Sequence, residues 1–152
     1  MKDHLDLQDF LAKNKIPAEI MEMPGETKTA RMAAGVMGID IDRIVKSVVF
    51  ISRSGSGVIG IVKGGSKVSH EKIEKITGET INTASPEEVL KLTGYKAGAV
   101  PPVGTGLKTI IDSDVMKMDL CYAGGGSEQH LIKISPHAIR KAVNATIADI
   151  KK

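Results

Sequence analysis

One lysine inside an apolar run and two glycine-rich turns are the features of this sequence whose placement calls for a chemical reason. Lys46 interrupts Ile44-Val45-Lys46-Ser47-Val48-Val49-Phe50, a segment otherwise almost wholly apolar. The run Gly94-Tyr95-Lys96-Ala97-Gly98-Ala99-Val100-Pro101-Pro102-Val103-Gly104 combines glycine and proline between ordered segments, and Gly124-Gly125-Gly126 separates two apolar stretches near the end. On residue chemistry alone, Lys46 reads as a cation at a sheet edge with its amine in water, and the long glycine loop as a turn.

Other chemistries fail on spacing. Gly60 and Gly65 stand as far apart as the glycines of a phosphate-binding loop, but Ser66-Lys67 follows where that loop needs Lys and then Ser or Thr. The four histidines, His4, His70, His130 and His137, form no His-x-x-His pair, so local spacing assembles no metal site. Cys121 lies in an apolar stretch without a neighbouring base and reads as a buried small hydrophobe. No Gly-x-Ser-x-Gly elbow offers a serine nucleophile. Neither a metal nor a cofactor is expected.

These residues need elements to hold them. Leu7, Phe10 and Leu11 give Asp6 to Lys13 the stripe of an amphipathic helix, and Ala18 to Met23 suits a short strand before Pro24-Gly25. Thr27 or Thr29 could cap a helix through Thr29 to Met37, closed by Gly38, with a turn over Ile39 to Arg43. From Ile44 to Val62, two β-branched runs flank Ser54-Gly55-Ser56-Gly57, the pattern of a hairpin. Ser69 caps a helix from His70 to Thr77, and Ser85-Pro86-Glu87-Glu88 opens another that stops at Gly94. After the loop from Tyr95 to Gly106, strands are expected at Leu107 to Asp112, Asp119 to Ala123 and His130 to Ile134. A closing helix is expected from Pro136 to about Ile150, with Ile139, Val143, Ile147 and Ile150 on one face. The hairpin and the late strand-turn-strand favour a mixed, largely antiparallel sheet over a doubly wound parallel one.

The 152 residues suffice for one well-buried core and suggest one domain. At 41% hydrophobic and 26% charged, the chain has the composition of a globular protein, and with 3% aromatics its core must be aliphatic. The charge of +3 and pI near 8.9 imply a mild attraction to polyanions, well short of a nucleic-acid coat. Lys63, Lys67, Lys72 and Lys75 are the densest basic group; pairing with Glu71 and Glu74 on a solvated helix face is the competing reading. The charged N-terminus resembles no signal peptide, no run approaches a membrane span, and a single cysteine rules out an internal disulfide. The cytoplasm is the expected compartment, with no membrane partner.

The Gly94 to Gly104 run resembles the Gly-Tyr-x-x-Gly-x-x-x-Pro-x-Gly loop of the YbaK and prolyl-tRNA synthetase-associated editing domains, with Gly98 and Pro102 in the Gly-x-x-x-Pro positions. Lys46 is similar to that family's lysine at the start of a strand. Thr29 through Gly38 resembles the Thr- and Ala-rich helix before it, and Gly125-Gly126 the glycine turn near its C-terminus. Position 99 is Ala and position 101 is Pro where many relatives carry Gly and a small hydroxyl residue, which leaves the amino-acid preference open.

The resemblance implies a mixed α/β fold with a barrel-like sheet flanked by helices, and a trans-acting aminoacyl-tRNA deacylase. The implied substrate is a mischarged aminoacyl-tRNA, tRNA-Pro or a similar one carrying a small wrong amino acid such as Ala or Cys. Prolyl-tRNA synthetase is an implied partner. The resemblance assigns catalysis to Lys46 and Gly98 and substrate binding to Thr29, Ala99, Val100, Pro102, Gly125 and Gly126. Backbone amides of Gly98 to Val100 would meet a tetrahedral oxyanion, Lys46 would face the terminal phosphate or a developing negative charge, and water or a substrate group would attack. Two other classes stay open: a non-catalytic tRNA- or synthetase-binding module of the same fold, and a hydrolase of small free esters. The sequence does not fix the oligomeric state.

Overall fold

A computed structural model describes residues 1–152. Helix α1 spans His4–Lys13, two residues earlier than the apolar stripe predicts, because the Asp3 carboxylate caps it and Asp6 returns the bond to the Asp3 N–H. Strand β1 (Ala18–Glu22) follows, then α2 (Ala30–Met37), capped by Thr29 and closed by Gly38 at φ 67°, and a single 3-10 turn at Ile41–Arg43. The hairpin is β2 (Val45–Ser52) and β3 (Gly57–Lys63). Helix α3 (His70–Thr77) starts at Ser69 and α4 (Pro86–Thr93) at Ser85, whose hydroxyl and Glu88 form a capping box. Strand β4 (Ile81–Thr83) lies between these helices. Beyond the glycine loop come β5 (Lys108–Asp112), β6 (Cys121–Gly124), β7 (His130–Ile134), α5 (Pro136–Val143) and β8 (Thr146–Ala148).

The strands form two sheets, one in the order β1-β7-β6 and one in the order β4-β2-β3-β5-β8. Four of the six pairings are antiparallel; β3 with β5 and β5 with β8 are parallel. The class is therefore mixed α/β with largely antiparallel pairing, as expected. The barrel-like sheet is resolved into two sheets that meet at a bridge between Ile44 and Tyr122. Side chains alternate across β2 and β3. Val45, Val49, Ile59 and Ile61 enter a core shared with Ile132, Ile134 and Ala123 of the smaller sheet, while Phe50, Val58 and Val62 pack with Ile73 of α3. Covered on both faces, these strands read as continuous apolar runs.

The closing helix departs from expectation. It ends at Val143 because Asn144 takes a left-handed conformation, φ 50° and ψ 51°, and its N–H closes on the Arg140 carbonyl. Thr146 to Ala148 then pair in parallel with β5, and Ile150 enters the core under α3. The buried Asp112 carboxylate holds this end, accepting the N–H groups of Ile150 at 2.9 Å and Lys151 at 3.3 Å. The helical spacing of Ile139, Val143, Ile147 and Ile150 is thus met by a helix followed by a strand.

Candidate active site

Three backbone segments converge beside Lys46. The first leads into α2: Thr27 is buried, its N–H and hydroxyl both donating to the Glu128 carbonyl, at 2.6 and 3.1 Å. Thr29 Oγ1 accepts the Met32 N–H at 3.1 Å and so fixes where the helix begins. The second segment is the glycine loop. Lys96 to Ala99 form a turn closed by the Ala99 N–H on the Lys96 carbonyl at 2.9 Å, with Gly98 in its third position at φ 88°, a conformation that a type II turn reserves for glycine. The third is the turn after β6, where the Gly125 N–H donates to the His130 carbonyl and the Gly126 N–H to the Ala99 carbonyl, both at 3.0 Å.

Glu128 ties the three together. Its carboxylate pairs with Lys96 of the loop and with Lys28, 3.6 Å away, which also reaches Glu26 at 3.2 Å. The Lys96 hydrogen bond first, and then the Lys28 charge, hold the Glu128 carboxyl below its ordinary range. These pairs are exposed to water and add little stability; their effect is positional.

Between the segments lies a cleft of about 90 Å³, lined among others by Thr29, Lys46, Ser47, Gly98, Val100 and Gly124. No carboxylate, imidazole or thiol lines it. The N–H groups of Gly98 and Val100 belong to no helix or strand and have no acceptor in the protein, whereas the Ala99 N–H is consumed by its turn. Two residues that line the cleft thus carry unspent N–H donors, the kind of group that an oxyanion requires.

Lys46 forms none of the protein's ion pairs. Partial burial first, and then the like charge of Lys67, lower its pKa from the ordinary lysine value. An unpaired, partly desolvated ammonium is a stronger electrostatic partner for an incoming anion than one in bulk water.

Thr29, Lys46, Gly98 and Val100 share the cleft, while Ala99, Pro102, Gly125 and Gly126 lie outside its lining. Ala99 and Gly126 clamp the loop to the late turn, and Pro102 is buried. Sequence reasoning missed Gly124, where an added Cβ would land on the Val100 carbonyl, and Lys28, whose Cβ and carbonyl oxygen stand 3.3 Å from where a Gly98 Cβ would be. Only the glycine run hinted at Gly124, and nothing in the sequence singled out Lys28. Cys121 is fully buried, as expected, and burial pushes its thiol up to about 12. The basic group separates: Lys72 pairs with Asp149 at 3.0 Å, and Glu74 accepts the Ile81 N–H instead of pairing with a lysine. Lys67 stands near Lys46 in a neighbouring groove. No helix is long and apolar enough to cross a membrane.

A model of the aminoacyl-tRNA editing domain matches residues 24–142. A proline–tRNA ligase of Thermotoga neapolitana is 29% identical over 110 residues, 72% of this chain and 19% of the ligase. The uncharacterized protein YwhH of Bacillus subtilis is 25% identical over 78% of this chain and 76% of its own length. The chain therefore spans about a fifth of the ligase and about three quarters of YwhH. Among solved structures, a candidate trans-editing enzyme for prolyl tRNA synthetase superposes with a TM-score of 0.89 and 32% identity, covering 98% of this chain and 96% of that one. A hypothetical protein superposes with a TM-score of 0.91 and 25% identity, covering 97% and 99%. With the family model covering most of the chain, including Lys46, the glycine loop and the late glycine turn, this protein belongs to the aminoacyl-tRNA editing domain family.

Proposed function

We propose that this editing domain is a trans-acting deacylase that hydrolyses the ester of a mischarged aminoacyl-tRNA. The observation that carries this reading is the pair of unspent N–H donors, Gly98 and Val100, in a cleft shared with the unpaired Lys46. An aminoacyl ester is an activated acyl group, so water can attack it without a protein nucleophile, which suits a cleft lined by no base or thiol. As the tetrahedral intermediate forms, the carbonyl oxygen gains charge and the two amides meet it without reorganising. Lys46 brings positive charge to the mouth of the cleft, toward the leaving 3′-oxygen and the terminal phosphate. The attacking water loses its proton to solvent or to the substrate's own amine, and the 3′-oxygen takes one up as the ester bond breaks.

A space of about 90 Å³ favours a small acyl group such as alanyl or cysteinyl over an aromatic one. The likeness to a candidate trans-editing enzyme for prolyl tRNA synthetase supports tRNA-Pro as the carrier and prolyl-tRNA synthetase as the partner whose errors are corrected. The test is a deacylation panel over alanyl-, cysteinyl-, seryl- and prolyl-tRNA. Hydrolysis of a small non-cognate ester with prolyl-tRNA-Pro spared is the expected result. Binding of tRNA with no hydrolysis across the panel would establish a binding module instead.

A further inference from the structure

A second concavity opens from the first. Lys28, Thr29, Ala30 and Lys46 line both the small cleft and a groove of about 520 Å³, whose far wall is Gly64-Gly65-Ser66-Lys67 and whose floor includes Ile41. The smaller space suits an acyl group; the larger falls within the range of about 300–1,000 Å³ that holds whole small ligands. Its lining contains no carboxylate, and Arg31, Lys46 and Lys67 are absent from every ion pair. Lys28, by contrast, is already neutralised by Glu26 and Glu128.

The far wall is rigid. The Gly64 N–H donates to the Ile44 carbonyl at 2.7 Å, the Gly65 N–H to Asp42 Oδ1 at 3.2 Å, and the Ser66 N–H to the Lys63 carbonyl at 2.9 Å. The Lys67 carbonyl accepts the Lys152 N–H at 2.8 Å. Side chains have no room on the two glycines: a Cβ would stand 2.5 Å from the Ile41 carbonyl oxygen at Gly64 and 2.7 Å from the Asp42 carboxylate at Gly65. With the loop amides of residues 64 to 66 all consumed, anion recognition here falls to the side chains of Arg31, Lys67 and Lys46. The Gly65-Ser66-Lys67 stretch, rejected as a phosphate-cradling loop on residue order, thus becomes a stiff wall presenting a lysine.

We infer that this groove binds the ribose-phosphate of the last nucleotides of the RNA strand, with Arg31 and Lys67 on backbone phosphates and Lys46 at the junction with the ester. The inference rests on the deacylase reading for its occupant. Only Ala30 and Ile41 give the groove apolar surface and no aromatic lines it, so it offers no platform for stacking a base. Recognition is by phosphate charge and is indifferent to base identity.

The test is equilibrium binding of uncharged tRNA by the full chain, titrated over salt, for wild type, Arg31→Gln, Lys67→Gln, the double variant and Lys67→Glu. Lys75→Gln, on the exposed part of α3 away from the groove, is the control. The double variant is expected to raise Kd about tenfold at low salt. It should also make the log Kd against log salt slope shallower by about 1.4, the value for two phosphates at ~0.7 each on a single strand. Lys67→Glu should be worse than Lys67→Gln, and Lys75→Gln should match wild type. Unchanged Kd and slope in the folded double variant, or an equal effect from Lys75→Gln, overturns the groove assignment whether or not the protein is active. Groove-dependent binding without deacylation in the wild type would leave the groove standing and overturn the deacylase reading.

Discussion

Adding a single carbon at Gly98 tests the oxyanion arrangement most directly. The residue holds φ 88°, where an L side chain costs about 1–2 kcal/mol, and the new Cβ would stand 3.3 Å from both the Cβ and the carbonyl oxygen of Lys28. Relief requires the Lys96 to Ala99 turn to swing, carrying the unspent Gly98 and Val100 donors with it. Displacing one such donor costs about 10²–10³ in rate in well-studied oxyanion holes. Gly98→Ala, which the turn can partly accommodate, should therefore lower single-turnover deacylation about tenfold, equivalent to about 1.4 kcal/mol. Gly98→Val adds branching where Lys28 leaves no space and should exceed a hundredfold, roughly 2.7 kcal/mol. Equilibrium binding of tRNA by the same folded variants should hold near the wild-type value, because the phosphate contacts lie on the other side of Lys46. Wild-type turnover in Gly98→Val would remove this loop from the chemistry. Parallel losses in turnover and binding would mean that the loop serves docking alone.

Lys46→Ala should cost at least about tenfold in deacylation, about 1.4 kcal/mol, in a protein that stays folded, and Lys46→Arg should recover only part of it because a planar fork does not fill the place of an ammonium; full activity in Lys46→Ala would refute the assignment. The Ser47 hydroxyl is buried with no hydrogen-bond partner, so Ser47→Ala should raise stability by about 1 kcal/mol, seen as an increase of roughly 2–4 °C in Tm, and a lower Tm would show that the hydroxyl is satisfied. His130 stacks on His4 at 3.8 Å, and burial first, then the His4 charge, depress its pKa from 6.5 against weaker opposing pulls from Glu22 and Asp3. Its neutral form is therefore favoured by folding, so stability is fully present above pH 6.5 and is lost as pH falls from there through the depressed value. Thermal melts from pH 7 to 5 should show this decline, more gently in His4→Phe, and a flat profile in wild type would exclude it.

Elements with strong local signals were legible from the residues. Capping groups at Thr29, Ser69 and Ser85 and the glycines at 38, 78 and 94 mark three helices at both ends, and each of these glycines has positive φ. Strand β4 escaped because a three-residue strand with one buried apolar side chain, Ile81, has no periodicity to detect. Strand β8 escaped because Ile147 and Ile150 keep helical spacing with Ile139 and Val143, and only Asn144 marks the break. The same limit applied at the cleft. Lys46 and Gly98 stand out by residue type, but whether an amide is spent or free is a tertiary fact. Nothing in Gly98-Ala99-Val100 shows that the middle N–H is consumed while its neighbours are not. Lys28 and Glu128 were invisible for the same reason: exposed charges acquire meaning only when the segments they join are brought together.

The pairing of β1 with β7, from Ala18 against Ile134 to Glu22 against His130, has a cost during synthesis. Strand β1 leaves the ribosome well before β7, its only partner in the sheet, is made. At roughly 5–20 residues per second, that interval is on the order of ten seconds, long enough for a bare strand to find a wrong edge. Its sequence, Ala-Glu-Ile-Met-Glu, carries exposed carboxylates at Glu19 and Glu22. Charges of this kind on a waiting strand oppose pairing with other nascent chains. Replacing both with threonine would keep the strand's shape in the finished protein while removing that protection, so the damage would appear as aggregation during translation, with the melting temperature of the molecules that do fold left largely intact.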